Sequence, residues 1–296
     1  MNKGRMKIVF AILVVFTYVS NKALGNKTIP SIRPVVHNPD ELYKQNMHLL
    51  CTNPEEAQQA AEVMDEARKR FLHYATSNYN YNLYENYSEN ASSYFRKYKN
   101  HTDIGKFHIK IYYPHAYDEI VNILWDPNGP KKYDSDLISG KVVRVYDPNL
   151  LMIQKSQRCY TTLFNRYFYA LSAKYKVSED TTIIVMASAN INDHNKKNVK
   201  KYENVIVTSA NSFKTDVDSE KEIRKGKLKK MFVNLSGYLI TKHDKYVEII
   251  HIDSVSDNIP IASEWYILLS KSERMGILLD LDNYIDDKYT FPPKSL

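Results

Sequence analysis

Hydrophobic residues recur at the spacing of one helix face in three segments of the chain. The first segment starts at Asn53-Pro54, a capping side chain followed by a proline at the first helical position. The second is HAYDEIVNILWD at residues 115–126, and the third is IASEWYILLSKSERMGILLDLDNYI at residues 261–285. This spacing predicts three helices. The apolar face of the first comprises Ala57, Ala60, Ala61, Met64, Ala67 and Phe71.

The third of these segments has the longest apolar face. Its hydrophobic residues follow at steps of three and four, interrupted by one serine, and further leucines widen the stripe. Such a face is typical of a helix that packs along most of its length, and we expect this helix to lie across a sheet. The face comprises Ile261, Trp265, Leu268, Ser272, Met275 and Leu279, with Leu269 and Leu278 beside it.

Apolar runs of strand length fill the middle of the chain. In FHIKIYY, the side chains of Phe107, Ile109 and Ile111 share one face. The order of helix, strand, helix, many strands and helix predicts an α+β protein with antiparallel strands. The further runs are KVVRVYD (141–147), LLMIQ (150–154), RYFYALSAKYKV (166–177), TTIIVMASA (181–189), VIVTSA (205–210), MFVNLSGYLI (231–240) and YVEIIHID (246–253).

Two stretches lack a regular pattern. Residues 26–52 contain prolines without hydrophobic periodicity, and we interpret them as an extended leader. Residues 77–100 are rich in Asn, Tyr and Ser, and we interpret them as a flexible insertion of low complexity.

The N-terminal residues have the pattern of a secretory signal peptide. Lys3, Arg5 and Lys7 precede the run IVFAILVVFTYV, which is too short to span a bilayer unaided. We expect cleavage near Gly25, with an uncleaved signal anchor as the alternative. The predicted organisation is a signal peptide over 1–25, the leader over 26–52 and one domain over 53–296, in a protein secreted through the endoplasmic reticulum.

The charge of the chain argues against nucleic-acid binding. The net charge of +7 includes four basic residues and no acid within 1–25, so 7 minus 4 leaves +3 for the remainder. One basic cluster fits either transient contact with anionic headgroups at a membrane surface or a solvated strand or turn. It consists of Arg224, Lys225, Lys227, Lys229 and Lys230.

Motifs of catalysis and metal binding are absent from the sequence. It contains no Gly-x-Gly-x-x-Gly, no phosphate-binding Gly-Lys-Ser/Thr loop and no Gly-x-Ser-x-Gly elbow. The histidines lack the spacing of metal ligands, and Cys159 has no histidine motif beside it. Cys51 and Cys159 form either one disulfide or none. We therefore expect no enzyme activity, no metal and no cofactor.

Three motifs follow one another in an order that resembles the START (StAR-related lipid transfer) domain. Residues 120–134, IVNILWDPNGPKKYD, are similar to its helix and the "Arg-Lys-x-Trp-Asp" segment after it. Asn165-Arg166 followed by YFYALSAKY is similar to its "Asn-Arg-Asp" strand. SGYLI, the strand that ends at Asp253, and Asn258-Ile-Pro260 before the last helix resemble its closing half.

Three longer stretches of the sequence carry a second resemblance: WDPNGPKKYDSDLISGKVVRVYDPNLLMIQK, TTIIVMASANINDHN and IRKGKLKKMFVNLSGYLI. They are similar to sequences of the malaria-parasite fam-a family, whose members join a signal peptide to a START-like domain, and a START-like core is expected over about residues 100–285. This resemblance implies a helix-grip fold, in which a curved antiparallel sheet grips the C-terminal helix around a tunnel for one lipid. It also implies a monomer that carries phosphatidylcholine and acts in the parasitophorous vacuole or the infected host erythrocyte.

The resemblance implies a set of lipid-binding residues. A phosphate-contacting arginine of phosphatidylcholine carriers aligns with Pro130, which leaves Lys131 or Lys132 as the nearest cation, and Arg166 is a partner for Asp134 if that carboxylate is buried. The aromatic residues suit the quaternary ammonium and the apolar residues suit the acyl chains. The full set is Lys131, Tyr133, Asp134, Arg166, Phe168, Tyr169, Trp265, Leu268, Leu269 and Met275.

Three functions are compatible with these observations. The first is transfer of one phospholipid between membranes. The second is an exported interaction or surface protein that keeps the fold with a closed cavity, which the proline at the arginine position favours. The third is a hydrolase or cyclase on the same scaffold, for which the sequence offers no nucleophile with its base.

Overall fold

The structure, a computed structural model, describes residues 41–98, 102–158, 165–197, 202–256 and 264–291. Side chains are described throughout these ranges except at 264–273 and 275. The predicted signal peptide and Cys159 lie outside the described residues. Within the described part, no helix combines the length and the hydropathy that crossing a membrane requires.

A large sheet organises the chain. Its strands run in the order β1-β2-β3-β12-β11-β7-β6-β5-β4, all antiparallel, with the short β10 pairing parallel to β6. The short β8 and β9 form a separate pair. The strands are β1 (Asn82–Ser88), β2 (Ala91–Lys97), β3 (Asp103–Ile111), β4 (Leu137–Asp147), β5 (Leu150–Gln157), β6 (Arg166–Ser178), β7 (Thr181–Ala187), β8 (Asn190–Asn192), β9 (Lys214–Asp216), β10 (Lys229–Lys230), β11 (Phe232–Lys242) and β12 (Val247–Ser256).

Helices cover both faces of this sheet, and side chains alternate between two apolar layers. Helix α2 packs on one face, where its Phe71 meets the layer that includes Leu235. Helices α3 and α5 pack on the other face, where Leu278 and Ile285 of α5 meet the layer that includes Ile249. The helices are α1 (Glu41–Asn46), α2 (Pro54–Thr76), α3 (Tyr117–Trp125), α4 (Lys221–Arg224) and α5 (Glu264–Thr290).

The three helices predicted from the hydrophobic spacing are present, as are most of the predicted strands. The Asn53 side chain caps α2 by accepting hydrogen bonds from the amides of Glu55 (3.0 Å) and Glu56 (3.2 Å). Phe107, Ile109 and Ile111 are fully buried on one face of β3. The α+β class and the long C-terminal helix on an antiparallel sheet are confirmed.

The prediction of an extended leader is wrong for residues 41–52. Residues 41–46 form α1, and the following turn carries Leu49 into the same apolar layer as Leu42. Cys51 then donates its amide to the carbonyl of Val145 at 2.7 Å. This segment was missed because its helix is short and is held by contacts with β4 that are distant in sequence. Residues 26–40 lie outside the described ranges.

The prediction of a flexible insertion at residues 77–100 is also wrong. Most of that stretch is the β1–β2 hairpin, which extends the sheet beyond β3. The Tyr87 ring lies 5.5 Å from Phe107, and the Tyr84 ring lies 5.1 Å from Phe95. The sequence of the outer strand shows no alternation of apolar and polar residues. The strand is exposed on nearly every residue and therefore needs no apolar face.

The strand predicted at residues 205–210 is not formed. Asn204 is fully buried there, and its Oδ1 accepts hydrogen bonds from the amides of Ile206 (3.1 Å) and Val207 (2.9 Å). Its Nδ2 donates to the carbonyl of Ser188 at 3.2 Å. One asparagine thus folds this apolar run into a compact turn. A short hydrophobic run does not by itself distinguish a turn from a strand.

Polar contacts fix the C-terminal helix on the sheet. Arg274 Nε of α5 donates to Asp253 Oδ2 of β12 at 2.9 Å. Near the end of the helix, Glu119 of α3 accepts from Lys288 Nζ at 2.5 Å and from the Tyr289 hydroxyl at 3.0 Å. The Asp253 carboxylate is only 7% exposed, so the first contact is an ion pair largely removed from water.

The loop after α3 approaches β4 so closely that it requires a glycine. A Cβ on Gly140 would overlap the backbone carbonyl of Pro127, and the Gly140 amide donates to Asn128 Oδ1 at 3.2 Å. This contact holds residues 126–134 against the edge of the sheet. The position of that loop is therefore set by a backbone-to-backbone contact.

We predict that Gly140→Ala lowers the free energy of unfolding by about 1–3 kcal/mol, because the added methyl forces the loop away from β4. Urea unfolding measures the change. Gly276→Ala is the matched control, since a Cβ there meets nothing within 4 Å. In a helix the control is expected to stabilise by about 0.5–1 kcal/mol. Equal effects of the two substitutions would contradict the close approach at Gly140.

We predict that Arg274→Met lowers the free energy of unfolding by about 3 kcal/mol, because it leaves the Asp253 carboxylate buried without its cation. The double variant Asp253→Leu/Arg274→Met is expected to recover most of that loss. Urea unfolding of the two variants checks the pair. A cost below about 1 kcal/mol for the single variant would show that water replaces the guanidinium.

Candidate functional site

Polar side chains gather on the sheet face that α3 and α5 cover, where a helix-covered sheet is normally apolar. We call this group the interior polar cluster. It draws on β5, β11 and β12, on the loop between α3 and β4, and on α5. Its members are Tyr133, Asp134, Lys155, Ser236, Tyr238, His251, Asp253 and Arg274.

Strand register places these residues on one face. Tyr238 of β11 lies opposite His251 of β12, and Ser236 lies opposite Asp253. Residues directly opposite in an antiparallel pair point to the same side of the sheet. Lys155 lies opposite Phe168 of β6, a member of the apolar layer under α3 and α5. Alternation thus carries these polar groups into the interior.

His251 is the most deeply buried titratable group of the cluster. Its ring stacks on Tyr238 at 4.6 Å with an interplanar angle of 23°, and its Nε2 lies 3.3 Å from the Ser236 hydroxyl. Its Nδ1 has no hydrogen-bond partner among the described residues. Burial lowers the pKa of His251 to about 4, with Arg274 and Lys155 lowering it further and Asp253 opposing them. His251 is therefore neutral at pH 7.

The loop between α3 and β4 contributes an aromatic ring and a carboxylate. The Tyr133 ring lies 6.3 Å from Tyr284 of α5, and burial raises the pKa of its hydroxyl, helped by the charges of Asp134 and Asp280. Asp134 Oδ1 accepts a hydrogen bond from the Asp136 amide at 2.8 Å. Burial raises the pKa of Asp134, against the amides that it binds and the charge of Lys155.

Lys155 contributes an ammonium group to the interior. Burial lowers its pKa to about 8, while the charges of Asp126 and Asp134 act in the opposite direction. The side chain nevertheless keeps part of its surface accessible.

The predicted residues fall into three groups of positions. Phe168 and Arg166 are buried on the same face as the cluster, and Tyr133 and Asp134 belong to it. Tyr169, next to Phe168, is 2% exposed on the opposite face, in the layer under α2. Lys131 is exposed, and its Nζ donates to the Ile138 carbonyl at 3.2 Å. The side chains of Trp265, Leu268, Leu269 and Met275 lie outside the described residues.

The predicted ion pair between Asp134 and Arg166 is wrong. The Asp134 carboxylate binds backbone amides of its own turn, at Asp136 and Leu137. Arg166 is 3% exposed at the start of β6, with Nη1 at 3.9 Å from Met231 Sδ. A turn that satisfies its aspartate locally removes the need for a distant cation.

Sequence reasoning missed Lys155, Tyr238, His251 and Asp253 as site residues. A signal was present, because each interrupts or extends an otherwise apolar strand face at the period of two. In isolation, however, a polar residue in a strand reads as an exposed position. Only the helices on this face turn those positions into buried ones.

The basic cluster after α4 is mostly neutralised. Arg224 pairs with Asp218, and Lys227 Nζ lies 2.6 Å from Glu222 Oε2. Lys230 is buried, with its Nζ at 2.8 Å from Asp193 Oδ2. These pairs favour the solvated turn over a patch for anionic headgroups. Among the described residues, no group of three His, Cys, Asp or Glu side chains is placed to hold a metal ion.

We predict that the protein loses stability as the pH is lowered from about 6.5 to about 4, because His251 is buried in its neutral form. The unfolded chain binds a proton on this residue near pH 6.5, whereas the folded chain binds it only near pH 4. Over that window the unfolded state holds more protons, so acid favours it, by about 3 kcal/mol in total. His251→Gln removes this contribution, which urea unfolding at pH 7 and pH 4 measures.

His48→Gln is the control, because His48 is exposed. It is expected to keep the pH dependence of the unchanged protein. An identical pH dependence in His251→Gln and the unchanged protein would show that His251 titrates normally and that the interior of the cluster is wet.

Solved structures show the same fold. Neither a family model nor a curated protein matches the sequence. Human StAR-related lipid transfer protein 5 superposes with a TM-score of 0.58 at 10% identity, covering 78% of this chain and 99% of that one. Human STARD10 gives 0.55 at 16% identity, covering 77% and 83%.

The lipid transfer and protein localization domain of human StarD13 (DLC2) gives a TM-score of 0.51 at 14% identity, covering 75% of this chain and 95% of that one. The identities are low, so the likeness concerns the fold. The chain therefore has the START helix-grip fold, with a large antiparallel sheet and a C-terminal helix, as the motifs predicted.

Proposed function

We propose that the protein binds one phospholipid between the sheet and α5 and transfers it between membranes, with phosphatidylcholine as the cargo. The observation that carries the proposal is the interior polar cluster inside an otherwise apolar layer. Charged groups are costly to bury, and a ligand can supply the partner of a charge that no protein group bonds within the described residues. The structural neighbours have a START fold and are named for lipid transfer, which supports a lipid as the ligand class.

The energetics of transfer require an enclosed site. A diacyl lipid exposes some thirty methylene groups to water, worth on the order of 20 kcal/mol at about 0.8 kcal/mol each. An enclosed apolar layer offsets that cost. Leu278, Leu281 and Ile285 of α5 supply such a surface on one side, opposite Ile249 of β12 and Phe168 of β6.

The polar end of the site suits a zwitterionic headgroup. Tyr133 and Tyr238 provide aromatic faces, and Asp134 provides a negative charge, which together favour a quaternary ammonium. Lys155 provides a positive charge on the same side. This combination supports phosphatidylcholine, although many headgroups share the phosphate.

A hydrolase is the second candidate, because Ser236 and His251 are within hydrogen-bond distance. Three features argue against it. The pKa of about 4 makes His251 a weak base, its Nδ1 has no orienting partner among the described residues, and the nearby Asp253 is bonded to Arg274. We infer that the pair is structural and that the protein is not an enzyme.

The site of action is part of the proposal. The basic and apolar N-terminal residues support secretion through the endoplasmic reticulum. The fam-a resemblance extends this to the parasitophorous vacuole or the host erythrocyte. A monomer that touches a membrane surface transiently, with α5 or a nearby loop moving to admit the lipid, fits a carrier.

We predict that the purified protein carries fluorescent phosphatidylcholine between vesicles and retains intact lipid when it is repurified. Mass spectrometry of the bound lipid identifies the cargo. Absence of both transfer and bound lipid would favour the interaction protein with a closed cavity. Recovery of lysolipid that Ser236→Ala abolishes would instead establish the hydrolase.

We predict that Phe168→Ala reduces the transfer rate at least tenfold, because it removes a wall of the lipid site beside Lys155. Tyr169→Ala is the matched control, since its ring packs on the opposite face. Both substitutions empty a buried position and are expected to cost about 3–5 kcal/mol of stability. Equal loss of transfer per folded molecule in the two variants would contradict a lipid on the α5 side of the sheet.

A further inference from the structure

Among the side chains that the structure describes, none forms a hydrogen bond with Lys155. On β4 it faces Gly140, which has no side chain, and on β6 it faces Phe168, which is apolar. Two residues away on its own strand, on the same face, is Ile153. On the two neighbouring strands, the residue directly opposite Lys155 therefore offers no side chain that accepts a hydrogen bond.

Each carboxylate near Lys155 accepts a hydrogen bond from a backbone amide of its own turn. Asp126 Oδ1 accepts a hydrogen bond from the Asn128 amide at 2.8 Å, and Asp134 Oδ1 accepts one from the Asp136 amide at 2.8 Å. Both act on Lys155 through their charge, without a hydrogen bond to it. Within the described ranges Lys155 donates no hydrogen bond to any side chain or carbonyl.

A buried ammonium without an acceptor is a cost that folding alone does not explain. Its three donors are satisfied either by water or by a ligand with several acceptor oxygens. The Lys155 side chain is partly accessible, so it is not sealed off from solvent. Of the groups that a lipid carries, the phosphate offers both the negative charge and the oxygens.

We propose that Lys155 binds the phosphate of the cargo, so that the site selects phosphate-bearing lipids over neutral diacylglycerols and sterols. This inference rests on the proposed function and adds the residue that sets its headgroup class. Lys155 thus takes the phosphate-binding role that the sequence analysis assigned to Lys131, which is exposed and whose Nζ donates to the Ile138 carbonyl. The aromatic and acidic side chains of the interior polar cluster then contact the rest of the headgroup.

The test compares Lys155→Met with Lys131→Met in the full chain. Each protein is incubated with vesicles of phosphatidylcholine containing phosphatidic acid and diacylglycerol, and the bound lipids are measured by mass spectrometry. Lys155→Met is expected to lose bound phosphatidylcholine and phosphatidic acid at least tenfold while keeping diacylglycerol within twofold. Lys131→Met is expected to match the unchanged protein, and Lys155→Arg to retain the phospholipids.

The outcomes separate the two proposals. If the unchanged protein binds phospholipid and Lys155→Met binds it equally, the role of Lys155 is overturned while lipid transfer stands. If the unchanged protein binds no lipid, the proposed function fails, and with it the lipid source of the phosphate. Titration with inorganic phosphate and glycerophosphocholine then applies: saturable binding that Lys155→Met abolishes identifies a soluble phosphoester, and its absence overturns the inference altogether.

A melting curve guards against misfolding. Because Lys155→Met replaces a buried charge with an apolar side chain of similar length, it is expected to melt at or above the temperature of the unchanged protein without lipid. A large fall in melting temperature would assign Lys155 a structural role and overturn the proposal.

Discussion

The ion pair between Arg274 and Asp253 is the interaction on which the arrangement of this protein depends. It ties the C-terminal helix to the strand β12 in the middle of the sheet, at a point where both groups are largely shielded from water. Burial is the main cause of the lowered pKa of His251, and the charge of Arg274 lowers that pKa further. This one contact thus both holds the helix over the sheet face and contributes to the electrostatics of the site.

The interior polar cluster gives the covered face a character that a plain hydrophobic core lacks. Ring stacking, a local turn and an ion pair satisfy most of its members within the protein. Lys155 makes no hydrogen bond within the described residues, and its charge lies near the carboxylates of Asp126 and Asp134. Stability is given up at one position on a face that is otherwise well packed, which is the usual mark of a place where a ligand completes the structure.

The elements that could be predicted were those whose pattern is local and repeated. The start of α2 could be predicted because the Asn53 side chain caps the turn that follows it. The buried face of β3 could be predicted because its apolar residues alternate. The hairpin from Asn82 to Lys97 was missed because an exposed edge strand needs no apolar side. The run at 205–210 was misjudged because Asn204 bonds the amides of Ile206 and Val207 and thereby turns the chain, while its other end is anchored to the distant carbonyl of Asn234.

By itself the sequence determined the α+β class, the long helix at the end and the order of motifs that matches the START fold. These properties follow from hydrophobic periodicity and from motifs read along the chain. Only the tertiary structure decided that Phe168 and Tyr169 serve opposite layers, that Asp134 and Arg166 do not pair, and that Lys155 points inward. The reason is physical: whether a polar side chain in a strand is solvated or buried depends on what covers its face of the sheet, and here that cover comes from helices α3 and α5 in other parts of the chain.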